Sequence, residues 1–169
     1  MHWDWERMSL SFETPKSDWI VIVLATFIFV IAMLVAVWDF VQVQKTVWSP
    51  GLLNIVGLAL FVGGTILRQV GKRTLGKYYS YGLRTLKDQR LIQHGVYKYV
   101  RHPITLAALI YTPAMPLVLS SVCGFLVMLG MIPLFLYRIG IEEKMLAEKF
   151  GAEYTQYMKK TKRLIPFVY

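Results

Sequence analysis

The sequence predicts an all-α integral membrane bundle of about four transmembrane helices, and three observations carry that prediction. Hydrophobic residues make up 56% of the 169-residue chain and charged residues 17%, against about 25% charge in a typical soluble domain. The apolar residues gather in long blocks without a single ionisable group. The 19 Lys and Arg fall between those blocks, mostly in two of the intervals.

The first block, residues 19–38, is bounded by Trp19 and Trp38. Twenty residues give roughly 30 Å of helix, the thickness of a hydrocarbon core, and Trp suits both interfaces. The flank before it carries Asp4, Glu6, Glu13 and Asp18 against Arg7 and Lys16. A cleaved signal peptide has a basic flank and a shorter apolar core, so the block reads as a retained span. Trp3, Trp5 and Phe12 allow the stretch before it to lie on the bilayer. The second block, residues 51–67, ends at Arg68.

The third block, residues 104–137, is too long for one ordinary span. Ser120, Ser121 and Gly124 near its middle divide it into a helical hairpin. Each arm is about 24 Å long, and the second runs on through Glu142 and Glu143. The single cysteine, Cys123, falls in this hairpin and reads as a packing residue. No linker divides the chain, so residues 1–169 form one domain.

Nine Lys and Arg lie in residues 68–101 and seven in residues 138–163, whereas residues 39–50 hold only Lys45. The positive-inside rule places both basic segments in the cytoplasm, together with the N-terminus. The net charge of +9 then reflects attraction to anionic membrane lipids. Nucleic acid is not an expected partner, because no recognised binding motif is present.

The hairpin returns the chain to its starting side, so the start of its first arm and the end of its second are expected to be neighbours. Before the first arm runs Gly95-Val96-Tyr97-Lys98-Tyr99-Val100-Arg101-His102-Pro103. Pro103 suits the first turn of a helix, which puts Arg101 and His102 beside unpaired N–H groups that favour an anion. Lipid phosphates with an interfacial Tyr belt account for the same residues. After the second arm, Arg138 and Glu142 stand one turn apart. They are either a boundary ion pair or a cavity-facing pair that holds the two ends of a zwitterionic ligand. Further on, Lys159, Lys160 and Lys162 suit headgroup contact, and Arg163-Leu164-Ile165-Pro166 reads as a segment returning to the membrane. His2, His94 and His102 lack ligand-spaced acids or thiols, so no metal site is expected. Gly63, Gly64 and Gly71 match no phosphate loop and read as helix-packing positions.

Leu91, Ile92, Gly95, Tyr97 and Arg101-His102-Pro103, then Arg138, Glu142, Glu143, Leu146, Phe150, Gly151, Tyr154, Tyr157, Arg163 and Pro166, resemble the isoprenylcysteine carboxyl methyltransferase family. That family sits within a wider group that includes the phospholipid methyltransferases. The resemblance covers residues 91–166. Ile104, Thr105 and Ala107 depart from it, standing where the family usually has any residue, Tyr and soon after Gly. It implies a C-terminal pocket, facing the cytoplasm, that binds S-adenosyl-L-methionine through Leu91, Ile92, Tyr97, His102, Pro103, Ile104, Thr105 and Glu142. The ammonium of that cofactor would meet Glu142, and its carboxylate the helix start at His102. Arg138 is the implied catalytic residue and orients a lipophilic acceptor. The acceptor is a prenylated carboxylate or thiol, a phospholipid amine or another small lipophile. An amine would need a base, for which Glu142 and Glu143 are the nearest groups. Two other classes stand beside this one. Membrane sterol reductases, which use NADPH, carry a similar C-terminal pattern, and a non-enzymatic haem carrier or assembly partner fits the spans.

Overall fold

A computed structural model describes residues 16–43, 51–79 and 90–165 of the chain. Trp3, Trp5, Phe12, Lys45 and Pro166, named above, lie outside them. The described residues form six α-helices: α1 Lys16–Val43, α2 Leu52–Leu75, α3 Pro103–Val118, α4 Val122–Leu129, α5 Met131–Phe150 and α6 Ala152–Lys160. Among them, the helices over Asp18–Gln42, Leu52–Tyr78 and Val122–Phe150 are long and apolar enough to cross a membrane. The last joins α4 and α5. The fourth expected span, α3, is apolar but has only 16 residues, or about 24 Å of helix.

The predicted hairpin turn falls at Leu119–Ser121. Ser120 adopts φ +60°, and the N–H of Ser121 reaches back to the carbonyl of Pro116 at 3.0 Å. The side chain of Ser121 then caps α4, accepting from the N–H of Gly124 at 2.9 Å. From there α4 and α5 carry the chain past Glu142 to Phe150.

Helices α2 and α3 run antiparallel along a glycine stripe. A Cβ at Gly57 would sit 2.6 Å from the amide nitrogen of Val118, one at Gly64 2.8 Å from Cβ of Tyr111, and one at Gly71 2.9 Å from Ile104. The spacing of seven residues returns nearly to the same helix face. Gly64 and Gly71 thus pack as expected, while a Cβ at Gly63 would meet nothing within 4 Å. Asn54 ties the far end, donating to the carbonyl of Val118 at 2.7 Å.

Helix α1 packs across α4 and α5. Ala32 and Ala36 are fully buried, and a Cβ at Gly124 would lie 2.9 Å from the carbonyl of Ala32. Ala32, Met128 and Met131 centre a small core backed by Ile28, Phe29 and Phe135. Two polar ties fasten the ends of α1: Ser121 Oγ donates to Asp39 at 2.6 Å, and Arg138 Nε meets Asp18 Oδ1 at 2.9 Å. The other face, with Trp19, Val23, Phe27, Leu34 and Trp38, is exposed, as a lipid-facing helix requires. Cys123 corrects the packing expectation, since it is exposed on α4.

Candidate active site

The predicted meeting of the two polar segments occurs. Pro103 opens α3, with His102 as the residue before it. The chain from Val100 to His102 lies beside residues 162–163. The Arg101 N–H donates to the carbonyl of Lys162 at 2.8 Å, and the His102 N–H to that of Arg163 at 3.2 Å. The C-terminal strap is therefore seated on the helix start. Tyr157 reinforces it, donating its hydroxyl to the carbonyl of Tyr97 at 2.6 Å.

At the centre is Glu143, a buried residue of α5. It accepts from Arg101 Nε at 3.0 Å, lies 3.3 Å from His102 Nε2, and pairs with Arg163. The other ring nitrogen of His102 faces Glu142 Oε2 at 3.4 Å. The Glu143 side chain is 8% exposed and that of Glu142 40%, so these adjacent residues divide their work. Glu143 is an internal strut, and Glu142 keeps an open side.

That open side faces a cavity of about 310 Å³, within the usual range for small-molecule sites, roughly 300–1,000 Å³. Leu91, Ile92, Tyr97, His102, Ile104, Thr105, Arg138 and Glu142 all line it. The structure thus brings together eight of the nine residues singled out from sequence. The ninth, Pro103, is fully buried at the first position of α3 and is not among the lining residues. Arg68, Tyr78, Tyr79 and Tyr111 also line the cavity and were not singled out. Arg68 stacks over the Tyr111 ring at 5.9 Å, joining α2 to α3. Its position at the end of an apolar block was the one available signal, since a cation there is costly unless it faces a cavity.

A second, apolar cavity of about 260 Å³ lies between α1 and α5, lined by Val21, Ile22, Ala25, Phe29, Met131 and Leu134 among others. Phe135 and Arg138 line both cavities. Arg138 therefore stands where a polar chamber meets an apolar groove.

Burial works against a charged ring at His102, but Glu142 and Glu143 outweigh it and hold its pKa at about 9, up from 6.5. Burial and the nearby Glu142 push the Tyr97 phenol well above its usual range, so Tyr97 acts as a neutral wall. A raised histidine pKa stabilises the fold fully below about pH 6.5, and that contribution is lost as pH rises through about 9. The shift corresponds to on the order of 3 kcal/mol. Thermal unfolding in detergent should show the midpoint falling across that window, and His102→Gln should flatten the profile.

The sequence matches the profile of the family described as "Isoprenylcysteine carboxyl methyltransferase (ICMT) family" over residues 56–148. This reaches back over α2, beyond the resemblance noted from sequence. Protein-S-isoprenylcysteine O-methyltransferase B of Arabidopsis thaliana is 28% identical over 150 residues, which cover 83% of this chain and 74% of the relative. The Saccharomyces cerevisiae protein-S-isoprenylcysteine O-methyltransferase is 32% identical over 120 residues, covering 69% of this chain and 50% of the yeast protein. The solved structure of the eukaryotic intramembrane Ras methyltransferase superposes with a TM-score of 0.63 at 25% identity, covering 94% of this chain and 55% of that one. The chain thus spans about half the length of the yeast protein and of the solved structure. The reductase and haem-carrier readings find no support in these matches.

Proposed function

The chain belongs to the isoprenylcysteine carboxyl methyltransferase family, and from that premise we propose that it methylates the carboxylate of a prenylated cysteine, with S-adenosylmethionine as donor, at the cytoplasmic face of a membrane. The observation that carries this reading is Arg138. It is a cation shared between a polar cavity that suits the donor and an apolar groove that suits an isoprenoid chain. The cytoplasmic side is supported by the basic residues of the same segments, Arg68, Arg90, Arg101 and Arg138, which line the cavity.

The donor fits the residues present. Glu142 offers a half-exposed carboxylate for its ammonium. The amides of Ile104 and Thr105 belong to the opening turn of α3, which has no intrahelical acceptor, and they suit its carboxylate. The His102 side chain is engaged on both nitrogens by glutamates, so its part is to orient Glu142. Tyr78, Tyr79 and Tyr97 offer flat surfaces for the adenine. When bound, S-adenosylmethionine supplies a methyl group on a positive sulfur, open to displacement by an oxygen nucleophile.

Arg138 holds the acceptor carboxylate by charge-assisted hydrogen bonds, aligning one oxygen with the methyl group. Alignment and exclusion of water are the main requirements of such a displacement. A carboxylate carries its own lone pair, so no general base is needed. Phe135, common to both cavities, keeps the junction dry.

Calorimetric titration of S-adenosylhomocysteine into the detergent-purified protein, with NADPH as control, tests the reading. Glu142→Ala should weaken S-adenosylhomocysteine binding about 10–100-fold, as expected for losing a charge-assisted contact. Arg138→Ala should leave that binding near wild type and reduce turnover of a farnesylcysteine carboxylate by about 100-fold or more. Binding of NADPH alone would overturn the reading.

A further inference from the structure

The mechanism above leaves one buried charge without a task. Asp18, in the first turn of α1, is 1% exposed, whereas its neighbours Trp19 and Ile20 are 61% and 60% exposed. It lies outside the stretch that matches the family, residues 56–148. A helix dipole favours an acid in the first turn but does not require the acid to be buried. A carboxylate withdrawn from water is costly unless a cation meets it, and the cation here is Arg138, at 2.9 Å.

The pair is not needed merely to dock α1. That helix has its own contacts: Ala32 and Ala36 against Gly124, the core around Met128 and Met131, and the Ser121–Asp39 bond at the other end. Glu142 also feels the charge of Arg138, but it shares its carboxylate with His102 at 3.4 Å, whereas Asp18 meets Arg138 at 2.9 Å. What Asp18 adds is a fixed carboxylate on Nε of a guanidinium that lines both cavities. The contact is an ion pair and not a directed hydrogen bond, so Asp18 holds the guanidinium in place by its charge, and a planar guanidinium so held can also meet a second carboxylate. A lone cation at the edge of an apolar groove would otherwise turn towards water.

Resting on the methyltransferase reading above, we infer that Asp18 is a positioning residue for Arg138: it fixes the guanidinium at the junction of the two cavities and serves as its counter-ion until an anionic acceptor arrives. The acceptor carboxylate then joins Asp18 on one guanidinium. The groove between α1 and α5 becomes part of the site through α1, which supplies its far wall and the anchor of its charged end.

The test uses the full chain in detergent, with S-farnesylated N-acetylcysteine as acceptor and S-adenosylhomocysteine binding as a second measurement. Asp18→Asn keeps the shape and removes the charge. It should lower kcat/KM for the acceptor about tenfold or more and leave S-adenosylhomocysteine affinity unchanged. Ser121→Ala, which loosens the other end of α1, should change neither. The deciding comparison is made in an Arg138→Gln background, where adding Asp18→Asn should cause no further loss, because a residue that acts through Arg138 has nothing left to position. This double variant also removes both charges of the pair, so it stays informative even where Asp18→Asn alone fails to fold. Wild-type turnover in Asp18→Asn, an equal loss in Ser121→Ala, or an additional loss in the double variant would overturn the inference. A wild type that binds S-adenosylhomocysteine yet leaves this acceptor unmethylated would instead overturn the proposed acceptor, and the inference with it.

Discussion

Glu143→Ala should abolish S-adenosylhomocysteine binding and lower the thermal unfolding midpoint further than a single substitution of any residue that lines the cavity. Glu143 is 7% exposed and is the shared partner of Arg101, His102 and Arg163. Removing it leaves the buried Arg101 and His102 facing an apolar methyl where their shared carboxylate stood, while Arg163, 34% exposed, can turn to solvent. Breaking a buried ion pair by deleting one partner costs about 3–5 kcal/mol, and here several contacts go together. Arg101 also donates to the carbonyls of Met158 and Thr161, so its displacement would loosen the end of α6 and the strap seated on the α3 start. Glu142→Ala is the informative contrast. Its carboxylate is half-exposed, so that variant should lose affinity with a clearly smaller drop in the midpoint than Glu143→Ala, a drop that comes from its contact with His102. Scanning fluorimetry and calorimetry on both proteins separate the strut from the ligand contact; equal stability of the two variants would refute the division of roles.

The second large effect lies outside the cavity. Gly57→Ala puts a methyl 2.6 Å from the amide nitrogen of Val118 and 2.8 Å from the carbonyl carbon of Leu117. These are backbone atoms that cannot rotate away, so α2 and α3 must separate. Overpacking of this kind costs typically about 1–3 kcal/mol, and the contact with fixed backbone places Gly57 at the upper end. Gly64→Ala meets Tyr111 at 2.8 Å and should add disturbance of the Arg68–Tyr111 stack. Gly63→Ala, with open space around it, should behave as wild type in the same unfolding measurement. Equal tolerance of alanine at Gly57 and Gly63 would show that the stripe is not a packing seam.

Much of this arrangement was legible in the chain. Uncharged runs give helices because an apolar segment in a membrane must satisfy its backbone internally, and Pro103 marks a helix start because its missing N–H is harmless there. Arg138 and Glu142 share a face by spacing alone, and both line the cavity. What the sequence withheld depends on distant segments. Asp18 and Arg138 are 120 positions apart, and nothing local says that this acid meets that cation. Glu142 and Glu143 look alike as a pair, although residues adjacent on a helix point about 100° apart and only one can share the face of Arg138. Gly63 and Gly64 drew notice as a doublet, whereas the packing signal was the interval of seven that links Gly64 to Gly57 and Gly71. Cys123 looked like core because its surroundings are apolar, but a helix against lipid is apolar on both faces.

The seam between α2 and α3 also decides where this molecule is free to change. Gly71 meets Ile104, so the chain leaves one helix and enters the next at nearly the same place, and the connection over residues 76–102 begins and ends on that pair. Tyr78, Tyr79, Arg90, Leu91, Ile92 and Tyr97 belong to that tethered stretch and line the cavity. Closing a connection twice as long between the same two ends adds only about 0.6 kcal/mol of entropy. Inserting one residue between Gly57 and Gly64 would instead rotate the rest of α2 by about 100° and turn the stripe off its partner. Insertions and deletions can therefore accumulate in the tether and reshape what the cavity accepts, while the helix pair holding its ends must keep its count.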